Sequence, residues 1–207
     1  MNPLPKEQFK KLVKARVINF WENTLRSEAA PLTSLQYFKP CNMSLTKPHP
    51  IWTSAGSSPS KVTMATVQAR MLSGRFRTES LCSKWKINCT GKCLLSSSCS
   101  SEDEYLEHIL SQCPALDPTR KKLTDFARKY CQEVPDISNL IIDFLQPSNV
   151  NFCQFLIDCS TMPRVVKAAQ ELGEQYVHHH LFNVTRTWIY TLHKERLKLL
   201  GRWNNLL

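Results

Sequence analysis

The segment CLLSSSCSSEDEYLEHILSQC spaces Cys93, Cys99, His108 and Cys113 as Cys-x5-Cys-x8-His-x4-Cys. Thiolate sulfur and imidazole nitrogen are the donors that zinc takes in a closed tetrahedron, and four of them on short spacings make a structural site. The first gap is longer than the usual two to four residues, and Cys89-x3-Cys93 offers another first pair in which Cys89 replaces Cys99. Without a metal, the same residues read as buried thiols and a surface histidine. The N-terminal residues MNPLPKEQFKKLVKARV are too polar for a secretory signal, and no later stretch supplies the roughly 20 apolar residues of a membrane span. A nuclear or cytoplasmic setting follows as the expectation. Its reducing conditions favour metal ligation over disulfides for clustered members of the nine cysteines. Cys82, Cys131, Cys153 and Cys159 read as small buried hydrophobes.

A second histidine feature, His178-His179-His180, makes a poor metal site, because consecutive helical residues point about 100° apart. Catalytic signatures are missing as well: the chain carries no glycine-rich phosphate loop, no HExxH and no Gly-x-Ser-x-Gly. The expectation is therefore a non-enzyme. Charge offers a different chemistry. The net charge is +10, and Lys61 to Lys92 holds seven Lys and Arg against one acid. Lys61, Arg70, Arg75, Arg77, Lys84 and Lys86 are the candidate phosphate contacts, with Phe76 and Trp85 available for packing or stacking. The same residues also fit a solvated helix face with two core aromatics. From Cys93 to Cys113 there are four acids and no Lys or Arg, so the metal loop is not itself the phosphate contact.

The elements that must position these residues are helices. Phe9, Leu12, Val13, Val17, Phe20, Trp21 and Leu25 recur at helical spacing between Lys6 and Ser27, with basic residues among them. Five prolines between residues 30 and 60 mark a surface connector without regular structure. Helical patterns resume over Lys61 to Ser80, and Glu104 to Gln112 can form a short helix that presents His108, with Cys113 past its end and Pro114 stopping it. Further helices are expected over Thr119–Glu133, Ser138–Leu145, Asn151–Ser160, Pro163–His180 and Leu181–Leu200. In the last, Leu181, Val184, Trp188, Leu192 and Leu199 form a stripe, with Arg186, Lys194, Arg196, Lys198 and Arg202 elsewhere. The chain divides into a basic amphipathic helix (1–29), a Pro/Ser-rich connector (30–60), a basic helix with the Cys/Cys/His/Cys unit (61–116) and a C-terminal helical region (117–207). The fold class expected is mainly α.

The stretch ARMLSGRFRTE at 69–79, with Trp85, Gly91-Lys92-Cys93-Leu94, Cys99, Glu107-His108-Ile109-Leu110, Cys113-Pro114-Ala115-Leu116 and Arg120, resembles the segment downstream of the polymerase in non-LTR (LINE-type) retrotransposon proteins. Ser34 to Phe38 and Pro48 to Trp52 resemble the connector before it. The strong part covers a quarter to a third of the chain. The resemblance implies one structural Zn2+ on Cys93, Cys99, His108 and Cys113, with Cys99 rather than Cys89. It also implies binding of RNA or DNA with weak sequence specificity, and a reverse transcriptase domain as partner in cis or in trans. The polymerase's own aromatic-x-Asp-Asp motif is absent, as is an endonuclease centre, so the chain is expected to be a truncated or solitary C-terminal portion. The alternative expectation is a helical protein-interaction domain, docking through residues such as Trp188 and Trp203, or a decayed remnant without nucleic-acid binding.

Overall fold

A computed structural model describes residues 5–40, 44–85, 88–146 and 149–202. Among these the chain is mainly α, and its nearest approach to a sheet is one antiparallel bridge between Lys92 and Asp103. The helices are α1 (Lys6–Ala29), α2 (Pro50–Thr53), α3 (Pro59–Leu72), α4 (Glu79–Lys84), α5 (Asp117–Glu133), α6 (Pro135–Phe144), α7 (Phe152–Ile157), α8 (Pro163–Leu172) and α9 (Glu174–Leu199). None of the described helices is long and apolar enough to cross a membrane.

Proline sets several of these boundaries. It occupies the first helical position of α2, α3, α6 and α8, where its missing N–H costs nothing and its fixed φ suits the helix. Glycine sets others. α3 ends at Leu72, short of the expected Ser80, and Gly74 follows at φ 66°. The expected break at His180 lies instead at Gly173, φ 96°, so α8 is shorter and His178 to His180 sit inside α9.

α9 is the spine. It packs against α2, α3, α5, α7 and α8, and Val177, Leu181, Phe182, Val184, Trp188, Ile189 and Leu192 are buried along it. Trp188 stacks edge-on against Phe152 and is buried, which removes it as an exposed docking anchor. Trp203 and Lys86 lie outside the described residues. Two arginines that periodicity placed on the polar face of this helix are also buried. Arg186 donates to the Ile51 and Ser54 carbonyls and the Ser54 hydroxyl, and Arg196 donates to Glu104.

The connector corrects the expectation of an irregular surface segment. His49 Nδ1 accepts the Ile51 N–H at the start of α2, and Ile51 and Ala55 enter the core. Earlier in the connector, the Ser34 carbonyl oxygen lies 2.3 Å from where a Cβ on Gly74 would stand. Gly74→Ala therefore meets both a backbone clash and a left-handed φ. We expect it to lower stability by roughly 1–3 kcal/mol, read as a lower urea midpoint at unchanged m-value. An unchanged midpoint would show that Ser34 does not hold this place.

Candidate metal centre

Residues 88–120 build a compact loop-and-turn unit on the helical body. Gly91, at φ 79°, turns the chain into a short antiparallel contact in which the Cys93 N–H donates to the Glu102 carbonyl (2.9 Å) and the Glu104 N–H to the Gly91 carbonyl (3.0 Å). Lys92 and Asp103 pair across it at 2.7 Å. Within the hairpin loop, Ser96 caps a 3-10 turn over Ser97–Cys99 that carries Cys99 inward.

The other two residues come from a π turn. His108–Gln112 closes with the Cys113 N–H donating to the His108 carbonyl at 2.7 Å, and Pro114 then starts a 3-10 turn. In an α-helix, a residue five positions on lies about 140° around the axis. The wider π turn brings Cys113 back towards His108, a geometry that recurs at functional sites. The sequence pattern indicates a helix here, but its distinguishing extra residue has no periodic signature.

The Cys93, Cys99, His108 and Cys113 ligand atoms all lie within 4.8 Å of one another, and the four residues are buried. The sulfurs form a triangle with edges of 3.4 Å (Cys93–Cys99), 3.8 Å (Cys93–Cys113) and 3.9 Å (Cys99–Cys113). These edges are far from the ~2.05 Å of a disulfide. Four donors about 2.3 Å from a central zinc would set sulfur–sulfur edges of about 3.8 Å. His108 Nε2 is buried with no hydrogen-bond partner, a costly arrangement for an imidazole unless its lone pair meets a cation. The group therefore could hold a metal ion. Cys89 stands apart from it, with its thiol beside Glu79 and Cys82.

Electrostatics around the group fit ligands awaiting a charge. Burial pushes the Cys93 thiol up to about 12 and raises Cys113, while the backbone N–H groups of Leu95 and Ala115 donate to these sulfurs and oppose the rise. Burial also lowers the His108 pKa, which keeps the imidazole neutral and able to ligate. A cation would favour the thiolates over the buried thiols, so binding would release protons.

Three sets of contacts brace the unit and tie it to the rest of the chain. Arg120 donates to the Ile109 carbonyl (3.1 Å) and to the Cys113 carbonyl, and its guanidinium is held by Asp117 at 2.6 Å. Glu107 receives the Tyr37 hydroxyl and the Gln36 amide from the connector. Glu104, one of the loop acids, is fully buried and accepts Arg196 Nε (2.9 Å) and Nη2 (2.6 Å), as well as the first N–H of α4 from Glu79 (2.7 Å). The role of Glu104 and Arg196 was missed in the sequence, because 92 residues separate them.

The remaining candidates do not join this site. His178 faces Glu174 at 3.7 Å, His179 is exposed and His180 pairs with the Tyr130 hydroxyl at 2.7 Å, so the three imidazoles diverge. Cys131 and Cys159 are buried as expected, while Cys82 and Cys153 are half-buried. Arg70, Arg75, Arg77 and Lys84 are exposed and Lys61 is half-buried. Among the described residues no carboxylate lies within ion-pairing distance of any of these five. Phe76 is buried beneath Arg196 and against His193, so it packs; Trp85 remains exposed. Comparison of the chain with protein families, curated proteins and solved structures finds no match.

Proposed function

We propose that this chain is a non-catalytic nucleic-acid-binding module whose Cys93, Cys99, His108 and Cys113 hold one structural zinc. The observation that carries the zinc half is the near-equilateral thiol triangle with an unpartnered imidazole nitrogen beside it. Soft thiolates favour zinc over the harder divalent ions, and four protein donors leave no position for a reactive water. The nucleic-acid half is supported by the resemblance of residues 69–120 to LINE-type proteins and by the unpaired cations on and after α3. Arg70, Arg75 and Arg77 are available for phosphates because no carboxylate of the described residues pairs with them. In a longer protein the module would work beside a reverse transcriptase domain; alone it would serve in trans.

The test combines elemental analysis with binding of RNA and DNA across a salt series. The expected result is one zinc per chain and an affinity that falls steeply with salt. In R70E/R75E/R77E the slope of log K against log salt should flatten by about 2–3, at roughly 0.7–0.9 per lost phosphate contact. Zinc-loaded protein that retains no nucleic acid would leave the helical protein-interaction reading. Protein that fails to fold with zinc would point to a decayed remnant.

A further inference from the structure

α1 is a helix of 24 residues with no buried side chain. Its aromatic residues are strongly exposed: Phe9 is 57%, Phe20 62% and Trp21 50% accessible, and Leu12, Val13 and Val17 are exposed with them. A surface of this kind marks an interaction site. Its charge narrows the occupant. Lys6, Lys10, Lys11, Lys14 and Arg16 stand against Glu7 in the first half, and Glu7 already pairs with Lys10 at 3.0 Å. A second copy of this cationic half would be repelled, and an acidic occupant is attracted.

The placement of the cations separates the acidic occupants. At about 100° per residue, Arg16 falls between Leu12 and Phe9, while Lys6 and Lys10 fall on either side of Val17. Within residues 9–21, Arg16 thus divides Leu12 from Phe9 and Lys10 divides Val17 from Trp21, so cations stand among the outer apolar side chains around a narrow central strip of Phe9, Phe20, Val13 and Val17. A helix lying in a lipid interface needs its apolar and charged faces segregated, which cations beside Phe9, Val17 and Trp21 prevent. Alternating aromatic and cationic side chains instead match a polyanion with flat apolar faces exposed, as in single-stranded nucleic acid, where bases stack and phosphates pair.

We propose that the exposed face of α1 is a single-strand-binding surface, in which Phe9, Phe20 and Trp21 stack on unpaired bases while Lys10, Lys14 and Arg16 take phosphates. It lies on a different element from the cations of α3 and the segment after it, and it rests on the nucleic-acid reading above while naming the strand state that reading leaves open. Duplex DNA offers its phosphates but not its base faces, so the aromatics serve only the single strand.

The experiment uses the zinc-loaded full chain and three variants: F9A/F20A/W21A, K10E/K14E/R16E and the α3-side R70E/R75E/R77E. None of the six α1 side chains is buried, so circular dichroism and zinc content should match the unsubstituted chain. The aromatic variant should bind an oligothymidylate of about 20 nucleotides at least tenfold more weakly while binding a duplex of that length within about threefold of normal. The α1 cation variant should flatten the single-strand salt slope by about 2. Normal oligothymidylate binding by both α1 variants, alongside loss in R70E/R75E/R77E, would overturn this surface and leave the module's function intact. No nucleic-acid binding by the unsubstituted chain would overturn both. Phosphatidylserine vesicles captured through the α1 aromatics, or dimers abolished in F9A/F20A/W21A, would likewise overturn it if oligothymidylate binding is unaffected.

Discussion

Cys113→Ser should purify without zinc and melt roughly 8–16 °C below the loaded protein. Zinc present at a thousand times its Kd stabilises the fold by about 4 kcal/mol, and each kcal/mol moves the midpoint of a domain this size by about 2–4 °C. The serine hydroxyl is a poor zinc ligand, and the other buried thiols lose the charge that favours their ionisation. His108→Ala should behave alike, because its imidazole nitrogen would be the fourth donor. Adding a chelator to the unsubstituted chain should reproduce the shift, with the change confined mainly to the loop-and-turn unit in hydrogen exchange. The buried apolar side chains along α9 extend well beyond the Cys/His group, so most of that helix should remain. A metal-free protein with the same midpoint before and after chelation would remove zinc from the account.

Arg196→Met should cost roughly 3–5 kcal/mol, the typical penalty for leaving one member of a buried ion pair without its partner. Glu104 has no solvent to fall back on: it is fully buried, and among the described residues the Glu79 N–H alone would remain to its carboxylate. Arg196→Lys should recover little, since an ammonium cannot supply the fork that reaches both carboxylate oxygens. E104L/R196M should be less destabilised than the sum of its single changes, because the stranded charge is gone. Denaturant melts of the four proteins form a double-mutant cycle. Additive effects would mean that the two residues do not interact, contrary to their 2.6 Å contact.

The metal group was legible in the sequence because its four residues lie within one short segment and the donor types have few other uses together. The choice between Cys89 and Cys99 was not legible from spacing. It depends on the turn at Gly91 and the 3-10 turn that folds Cys99 inward, neither of which leaves a periodic trace. The mainly α class and α1 followed from apolar recurrence. The connector was misread because closely spaced prolines look like breakers, whereas Pro50 and Pro59 begin helices. Arg186 and Arg196 were misread for a related reason, and the burial of Glu104 left no sign in the sequence. Charged residues usually mark the wet face of a helix, and only the tertiary fold brings each to a buried partner.

The bond between Glu104 and Arg196 also sets an order of events on the ribosome. All four residues of the Cys/His group have been made once Cys113 is added, yet Arg196 is added some 80 residues later. At ordinary elongation rates that interval is roughly 4–16 s. During it Glu104 lacks its arginine partner, and the spine helix against which the π turn packs does not exist. The three thiols of the group are thus together in the nascent chain, open to metal and to oxidants, before α9 is there to pack on the π turn that carries His108.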